Sequence, residues 1–332
     1  MKKFILILSI FLTILPVFSE KTSWKADDYQ MYVFFNKDTH PGDAIFVRLI
    51  LETKDKRLMK SSVQSSGKIQ LFQAGKNDEK DIAHADFYPI KNQLTKKQLR
   101  QDILAGIPLS SYQAAGEYTL LISYAPFGKE EFEFSLPINI EPKEFVSETI
   151  QLDARNTSIK TNDSDERWRQ IKKLNEILET KNISSVYTLS RFTPPTQATR
   201  RTSFFADRRV YAYSNGKSST SLHYGIDYGI PTGSEVRAPA DGKVVMAEFR
   251  ITTGWSTVIE HLPGLYSLYY HQNELKCAVG DIVKKGDLIG LSGSTGLATG
   301  PHLHWEIRLN MEAVSPDFFT TDFAFEEASR EN

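Results

Sequence analysis

Cysteine is nearly absent from this chain. Cys277 is the only one in 332 residues, so no intramolecular disulfide can form and no lipid-attachment cysteine follows the N-terminal region. A charge excess is missing as well: Lys+Arg 40 against Asp+Glu 41 gives a formal net charge of -1, which removes the global electrostatic case for a nucleic-acid binder. Glycine (19) and proline (14) are neither abundant nor periodic, excluding collagen-like and low-complexity chains. Beyond the first 20 residues no apolar run is long enough to span a bilayer. What remains is a chain with 40% hydrophobic and 24% charged residues, long enough for two domains and dependent on apolar cores or a metal for its stability.

The N-terminus carries Lys2 and Lys3, an uncharged apolar run from Phe4 to Phe18, then Ser19 and Glu20. This three-part layout predicts a secretory signal peptide over residues 1–19, cleaved after Ser19, which leaves no stable membrane anchor and a periplasmic or otherwise extracytoplasmic protein. From Tyr29 to Ile140 the pattern alternates with period two: Phe132, Phe134, Leu136, Ile138 and Ile140 interleave with Glu133, Ser135, Pro137 and Asn139. Runs at Gln30–Phe35, Ala44–Leu51, Lys68–Gln73 and Tyr118–Tyr124 complete the signature of a β-sandwich accessory domain over residues 20–145. His40 and His84 stand alone there in polar turns and read as surface.

Trp168, Ile171, Leu174 and Leu178 recur at helical spacing, with Asp163 as N-cap and Glu166 three residues on. They predict one amphipathic helix over 163–181, inside a linker of residues 146–199 and packed between domains. Between Gly225 and Gly300 lie 12 of the 19 glycines, punctuating the short runs Lys243–Phe249, Thr257–His261, Ser267–Tyr270 and Leu303–Arg308. Residues 200–332 are therefore expected to form a second, mostly antiparallel β domain. The fold class is mainly β.

Five of the seven histidines fall between His223 and His304. His223 and Asp227, four apart, share one face if they lie in a strand, and so do His302 and His304, two apart. Either pair alone is weak. The glycine-rich run Gly290–Gly300 lacks the Lys-Ser/Thr of a phosphate loop and reads as a turn beside the site. His261, at a hairpin end, and Cys277, without a partner histidine, read as structural, and Glu306, Arg308 and Tyr224 as groove or solvated strand positions.

The ordered set His223-Tyr-Gly-Ile-Asp227, Tyr269-Tyr270-His271 and Gly300-Pro301-His302-Leu303-His304-Trp305-Glu306, with the connecting segments Val236–Gly242 and Val279–Asp287, resembles the lysostaphin-type (LytM-type) zinc metallopeptidases over about residues 200–318. The resemblance implies one Zn²⁺ per chain held by His223, Asp227 and His304, with His271 and His302 as an unliganded catalytic pair. Three N/O ligands with no thiolate suit a catalytic zinc with an open fourth position, whereas Ca²⁺ or Mg²⁺ would call for more oxygens. The chain has no His-Glu-x-x-His helix, so proton transfer falls to the two histidines, with the base not assigned between them. The implied function is a metalloendopeptidase acting on peptidoglycan stems or cross-bridges. The alternative is a catalytically silent wall-binding or hydrolase-activating module on the same fold.

Overall fold

The computed structural model describes residues 20–61, 63–75, 81–323 and 325; the expected signal peptide lies outside them. Among the described residues, those up to Lys143 together with Phe323 and Phe325 form one compact unit, and Glu144–Asp322 form another. No described helix is long and apolar enough to cross a membrane.

The first unit holds two five-stranded sheets. One runs, in spatial order, Glu20–Lys25, Gln30–Phe35, Ala44–Thr53, Leu99–Pro108 and Tyr88–Leu94. The other runs Asp38–Thr39, Phe132–Ile140, Gly116–Ala125, Ser66–Gln73 and Ala83–Asp86. Alternation delivers one face of each strand to a shared apolar cluster, in which Val33, Val47 and Leu49 meet Leu120, Ile122, Leu136 and Ile138. Fully burying each such side chain contributes roughly 1.5–3 kcal/mol. His40 and His84 lie on this unit's surface beside Asp43 and Asp81. Phe323 and Phe325 stand apart from the 200–332 boundary expected from sequence. Phe46 stacks on Phe323 at 4.9 Å and meets Phe325 edge-on at 5.0 Å, while the Arg48 Nη1 donates to the Phe325 carbonyl at 3.0 Å.

The second unit is built on an eight-stranded antiparallel sheet. Its order is Arg201–Ser203, Gly225–Tyr228, Leu303–Leu309, Leu265–Gln272, Gly254–Leu262, Gly242–Arg250 and Ile282–Val283, with Glu312–Val314 paired to Leu303–Leu309. The register sets Asp227 opposite His304 and His304 opposite Tyr270, so three consecutive strands bring these side chains together.

Residues 146–199 are more structured than the expected linker. Ser147–Gln151 pairs parallel to Arg208–Ala212, which pairs antiparallel to Ser218–Leu222, and two helices follow the first strand. The long helix spans Asp165–Glu179, shorter than 163–181, and its N-cap is Ser164, whose hydroxyl accepts from the Arg167 N–H. Asp163 is drawn off instead by the Trp168 Nε1–H at 2.7 Å. Trp168 is consequently 54% exposed, outside the apolar stripe in which Leu174, Ile177 and Leu178 pack on Met246, Val258, Tyr266 and Leu268. The helix therefore buries its apolar face against the sheet of its own unit.

Candidate metal centre

His223 does not share a strand with Asp227. It sits in the two-residue break between Ser218–Leu222 and Gly225–Tyr228, where its N–H donates to the Asp207 carbonyl at 2.9 Å and its own carbonyl accepts from the Ala206 N–H at 2.7 Å. These cross-links turn the ring toward Asp227, whose strand pairs with that of His304. One ligating atom from each of His223, Asp227 and His304 lies within 4.8 Å of the others. All three residues are buried.

The hydrogen bonds fix the tautomers. His223 Nδ1 lies 2.8 Å from the Phe204 carbonyl, which can only accept, so this nitrogen carries the hydrogen. By the same logic His304 Nε2 donates to the Glu306 carboxylate at 3.0 Å. The inward atoms are then His223 Nε2, His304 Nδ1 and Asp227 Oδ1, separated by 2.9, 3.0 and 2.8 Å. In neutral rings these are three lone pairs converging at a buried point, an arrangement that a cation stabilises. A proton on His304 is one such cation. Burial opposes it, but hydrogen bonds to Asp227 and Glu306, and their charges, push the imidazole up to about 9. A divalent metal is the other, and two imidazoles and a carboxylate oxygen are a borderline-soft donor set of the kind zinc takes.

Partners behind these side chains hold them in place. Arg209 Nη2 donates to Asp227 Oδ2 at 3.0 Å and Arg209 Nε to Glu148 at 2.8 Å, leaving Oδ1 to face inward. Arg308 Nε donates to Glu306 at 2.8 Å. Burial alone would raise the Glu306 pKa, but the Arg308 charge and the His304 contact bring it down to about 2. Tyr270 stacks flat on His304, with ring centroids 5.3 Å apart and planes 2° from parallel.

His271 and His302 stand beside this cluster with ring centroids 4.6 Å apart. His271 Nδ1 donates to the Thr295 carbonyl and His302 Nδ1 to the Gly300 carbonyl, each at 2.8 Å, so both rings present a bare Nε2. His302 Nε2 is 3.8 Å from Asp227 Oδ1. Burial first, then the charges of His302 and His304, push His271 down to about 3. Its backbone is left-handed (φ 62°), a conformation that costs a non-glycine residue about 1–3 kcal/mol. The His271 N–H anchors it to the Thr253 carbonyl at 2.8 Å, where the pairing register with Gly254–Leu262 slips.

The glycine-rich run at 290–300 is the clamp for this pair, since it supplies both carbonyls. Gly254 (φ 65°) and Gly296 (φ 74°) let the Thr253 turn and this loop touch; a Cβ on either would collide with the other segment's backbone. His261 lies elsewhere, fully buried between the Asp241 carbonyl and Ser267. Cys277 is half-buried and its thiol is pushed up mainly by burial. The sequence reading did not single out Phe204, Arg209, Glu148 or Thr295. Only the Glu306-x-Arg308 spacing, adjoining His304 on one strand face, carried a signal for such partners.

A model of peptidase family M23 matches residues 221–316, which contain the five candidate site residues His223, Asp227, His271, His302 and His304. Among similar proteins, DD-carboxypeptidase/endopeptidase Mpg of Neisseria meningitidis serogroup B is 44% identical over 95 residues, 29% of this chain and 22% of that one. Peptidoglycan DD-endopeptidase ShyA of Vibrio cholerae serotype O1 is 36% identical over 108 residues, 32% of this chain and 24% of that one. Glycyl-glycine endopeptidase ALE-1 of Staphylococcus capitis is 40% identical over 90 residues, 26% of this chain and 25% of that one. The matched stretch thus spans about a quarter of the length of these relatives.

Proposed function

Residues 221–316 are a peptidase family M23 domain, and from that premise we propose that this chain is an exported, zinc-dependent endopeptidase hydrolysing peptide bonds in the stems or cross-bridges of peptidoglycan. The observation that carries the reading is the division of labour among five side chains. Three converge their lone pairs on one point, and two more stand beside that point with bare Nε2 atoms.

In this reading His223 Nε2, Asp227 Oδ1 and His304 Nδ1 hold the zinc, which when bound supplies Lewis acidity toward water and the scissile carbonyl. The remaining work belongs to the chain. With Nδ1 occupied by a carbonyl, each of His271 and His302 exchanges protons only through Nε2, on the groove side. One takes the proton from the attacking water; the other, once protonated, donates toward the developing oxyanion or the leaving amine. Thr295 and Gly300 keep both rings from flipping, so no reorientation is needed between the two transfers. Arg209 keeps the second oxygen of Asp227 occupied. A substrate lying outside the cytoplasmic membrane fits the extracytoplasmic address expected from the N-terminal residues.

The names ShyA and ALE-1 carry differ in the bond cleaved, DD against glycyl-glycine. This supports placing bond choice in the groove sides and not in the metal ligands. The test is mass spectrometry of purified peptidoglycan after incubation with the zinc-loaded protein. New amino termini in the peptide portion are expected, abolished by a chelator and absent in His223→Ala, Asp227→Ala and His304→Ala, each of which loses zinc. An intact wall with bound protein would instead identify a silent binding module.

A further inference from the structure

One side of the groove beside the metal centre comes from the segment ahead of the matched domain, through Glu148, Lys160, Arg200, Arg209 and Tyr211. Most charges lining the groove are mutually satisfied. Arg209 takes up both Glu148 and Asp227, while Arg308 and His304 take up Glu306. Lys160 and Arg200 are left over, with no carboxylate partner among the described residues.

Lys160 is half-buried, its ammonium 4.2 Å over the Tyr211 ring. Burial and then the charges of Arg167 and Arg209 pull it below the usual lysine range. Its helix, Ala154–Lys160, is held on both flanks. Asn156 Nδ2 donates to the Ala298 carbonyl at 3.3 Å, Arg155 Nη2 to the Gly296 carbonyl at 3.2 Å, and Ser214 N–H to Thr157 Oγ1 at 3.0 Å. A helix C-terminus favours a lysine anywhere in its last turn. That preference does not account for an ammonium turned into a groove already holding two guanidiniums.

Arg209 and Tyr211 lie two apart on the strand Arg208–Ala212 and so share a face. Lys160 is thus separated from Asp227 by one aromatic ring and one guanidinium on a shared groove wall, a reach on the order of a few residues of extended peptide. We propose that Lys160, assisted by Arg200, is a carboxylate-recognition site that selects peptides bearing a free carboxylate within a few residues of the scissile bond. The proposal rests on the peptidase reading above. A substrate carboxylate supplies the counter-charge the groove lacks, and a carboxamide at the same place does not.

Stem peptides with the scissile amide replaced by a reduced CH2–NH unit, in free-acid and carboxamide forms, test this by isothermal titration calorimetry on the zinc-supplied full chain. The free acid is expected to bind about tenfold tighter, the scale of one charge-assisted hydrogen bond. Lys160→Gln should erase the difference, and Lys160→Arg should restore it. A preference that survives in folded Lys160→Gln, equal affinity of the two forms for the unaltered protein, or binding of neither overturns the proposal. Ordinary amide forms are incubated in parallel. Failure to cleave them counts against the peptidase reading, while the binding preference still reads Lys160.

Discussion

Glu306 offers a way to perturb the proposed metal centre without touching a proposed ligand. It accepts the His304 Nε2–H at 3.0 Å, which fixes the tautomer that turns Nδ1 inward, and it is also the carboxylate paired with Arg308 at 2.8 Å. Removing such a partner behind a metal-bound histidine typically lowers metal affinity 10- to 100-fold, or about 1.4–2.7 kcal/mol. The two substitutions should rank. Glu306→Gln keeps an oxygen able to accept from His304 but loses the charge, so it belongs near tenfold; Glu306→Ala removes the acceptor and belongs near 100-fold. Both leave the Arg308 guanidinium without its carboxylate, with the Tyr224 ring 4.5 Å away and the Met311 carbonyl at 3.3 Å as remaining support. A stability loss of about 1–3 kcal/mol is therefore expected alongside. Adding Arg308→Gln to Glu306→Gln should recover stability but not zinc affinity, which separates the two effects. Zinc affinity is read by competition with a chromophoric chelator, and stability by denaturant unfolding. A folded Glu306→Ala that holds zinc as tightly as the unaltered protein would refute the argument that this carboxylate organises the ligand.

Two further outcomes follow from the same geometry. His271→Ala and His302→Ala should retain near-normal zinc while kcat falls about 10²-fold or more, the scale of general acid–base and oxyanion contributions; zinc lost from His302→Ala but kept in His304→Ala would reverse their roles. Burial pushes His261 from 6.5 down to about 4, so below pH 6.5 the unfolded chain takes up a proton that the folded chain refuses. Unfolding free energy should then fall by about 1.4 kcal/mol per pH unit, roughly 3 kcal/mol between pH 6.5 and 4. That part of the slope should vanish in His261→Asn, and an unchanged slope in this variant would contradict it.

Part of the site was legible in sequence because strand pairing converts spacing into convergence, as with His304 opposite Asp227 and Tyr270; His302 lies one residue before that strand, in an isolated bridge to Gly293, and not on the continuous strand its spacing suggested. His223 converged by a different route. A break in the strand, held by main-chain bonds to Ala206 and Asp207, turns its ring, and nothing in a four-residue spacing distinguishes that from a continuous strand. The Leu99–Pro108 strand escaped notice for a related reason. It is buried almost throughout and carries Asp102, fully enclosed and bidentate to Arg48 at 2.9 and 2.6 Å, so a buried ion pair interrupts the alternation that marks other strands. Backbone acceptors were invisible in principle. Phe204, Thr295 and Gly300 act through carbonyls, and a carbonyl leaves no residue-type signature.

The segment before residue 200 bears on the chemistry through Arg209. Its Nη2 occupies Asp227 Oδ2, which leaves a single oxygen of that carboxylate pointing at the two imidazoles. Arg209 is in turn held by Glu148, on the strand Ser147–Gln151 that pairs with Arg209's own strand. A chain cut at residue 200 would lose Glu148, that strand and the Leu178 contact with the sheet. The guanidinium would keep its charge and its contact with Asp227 but lose the carboxylate that fixes its Nε side. Wherever that less firmly held contact gives way, Asp227 could turn both oxygens inward, changing the donor set from three atoms to four and filling the open position that the proposed reaction needs. On the proposed reading, the working unit is therefore the compact unit Glu144–Asp322, in which residues 144–200 would orient the proposed ligand Asp227 as well as line the groove.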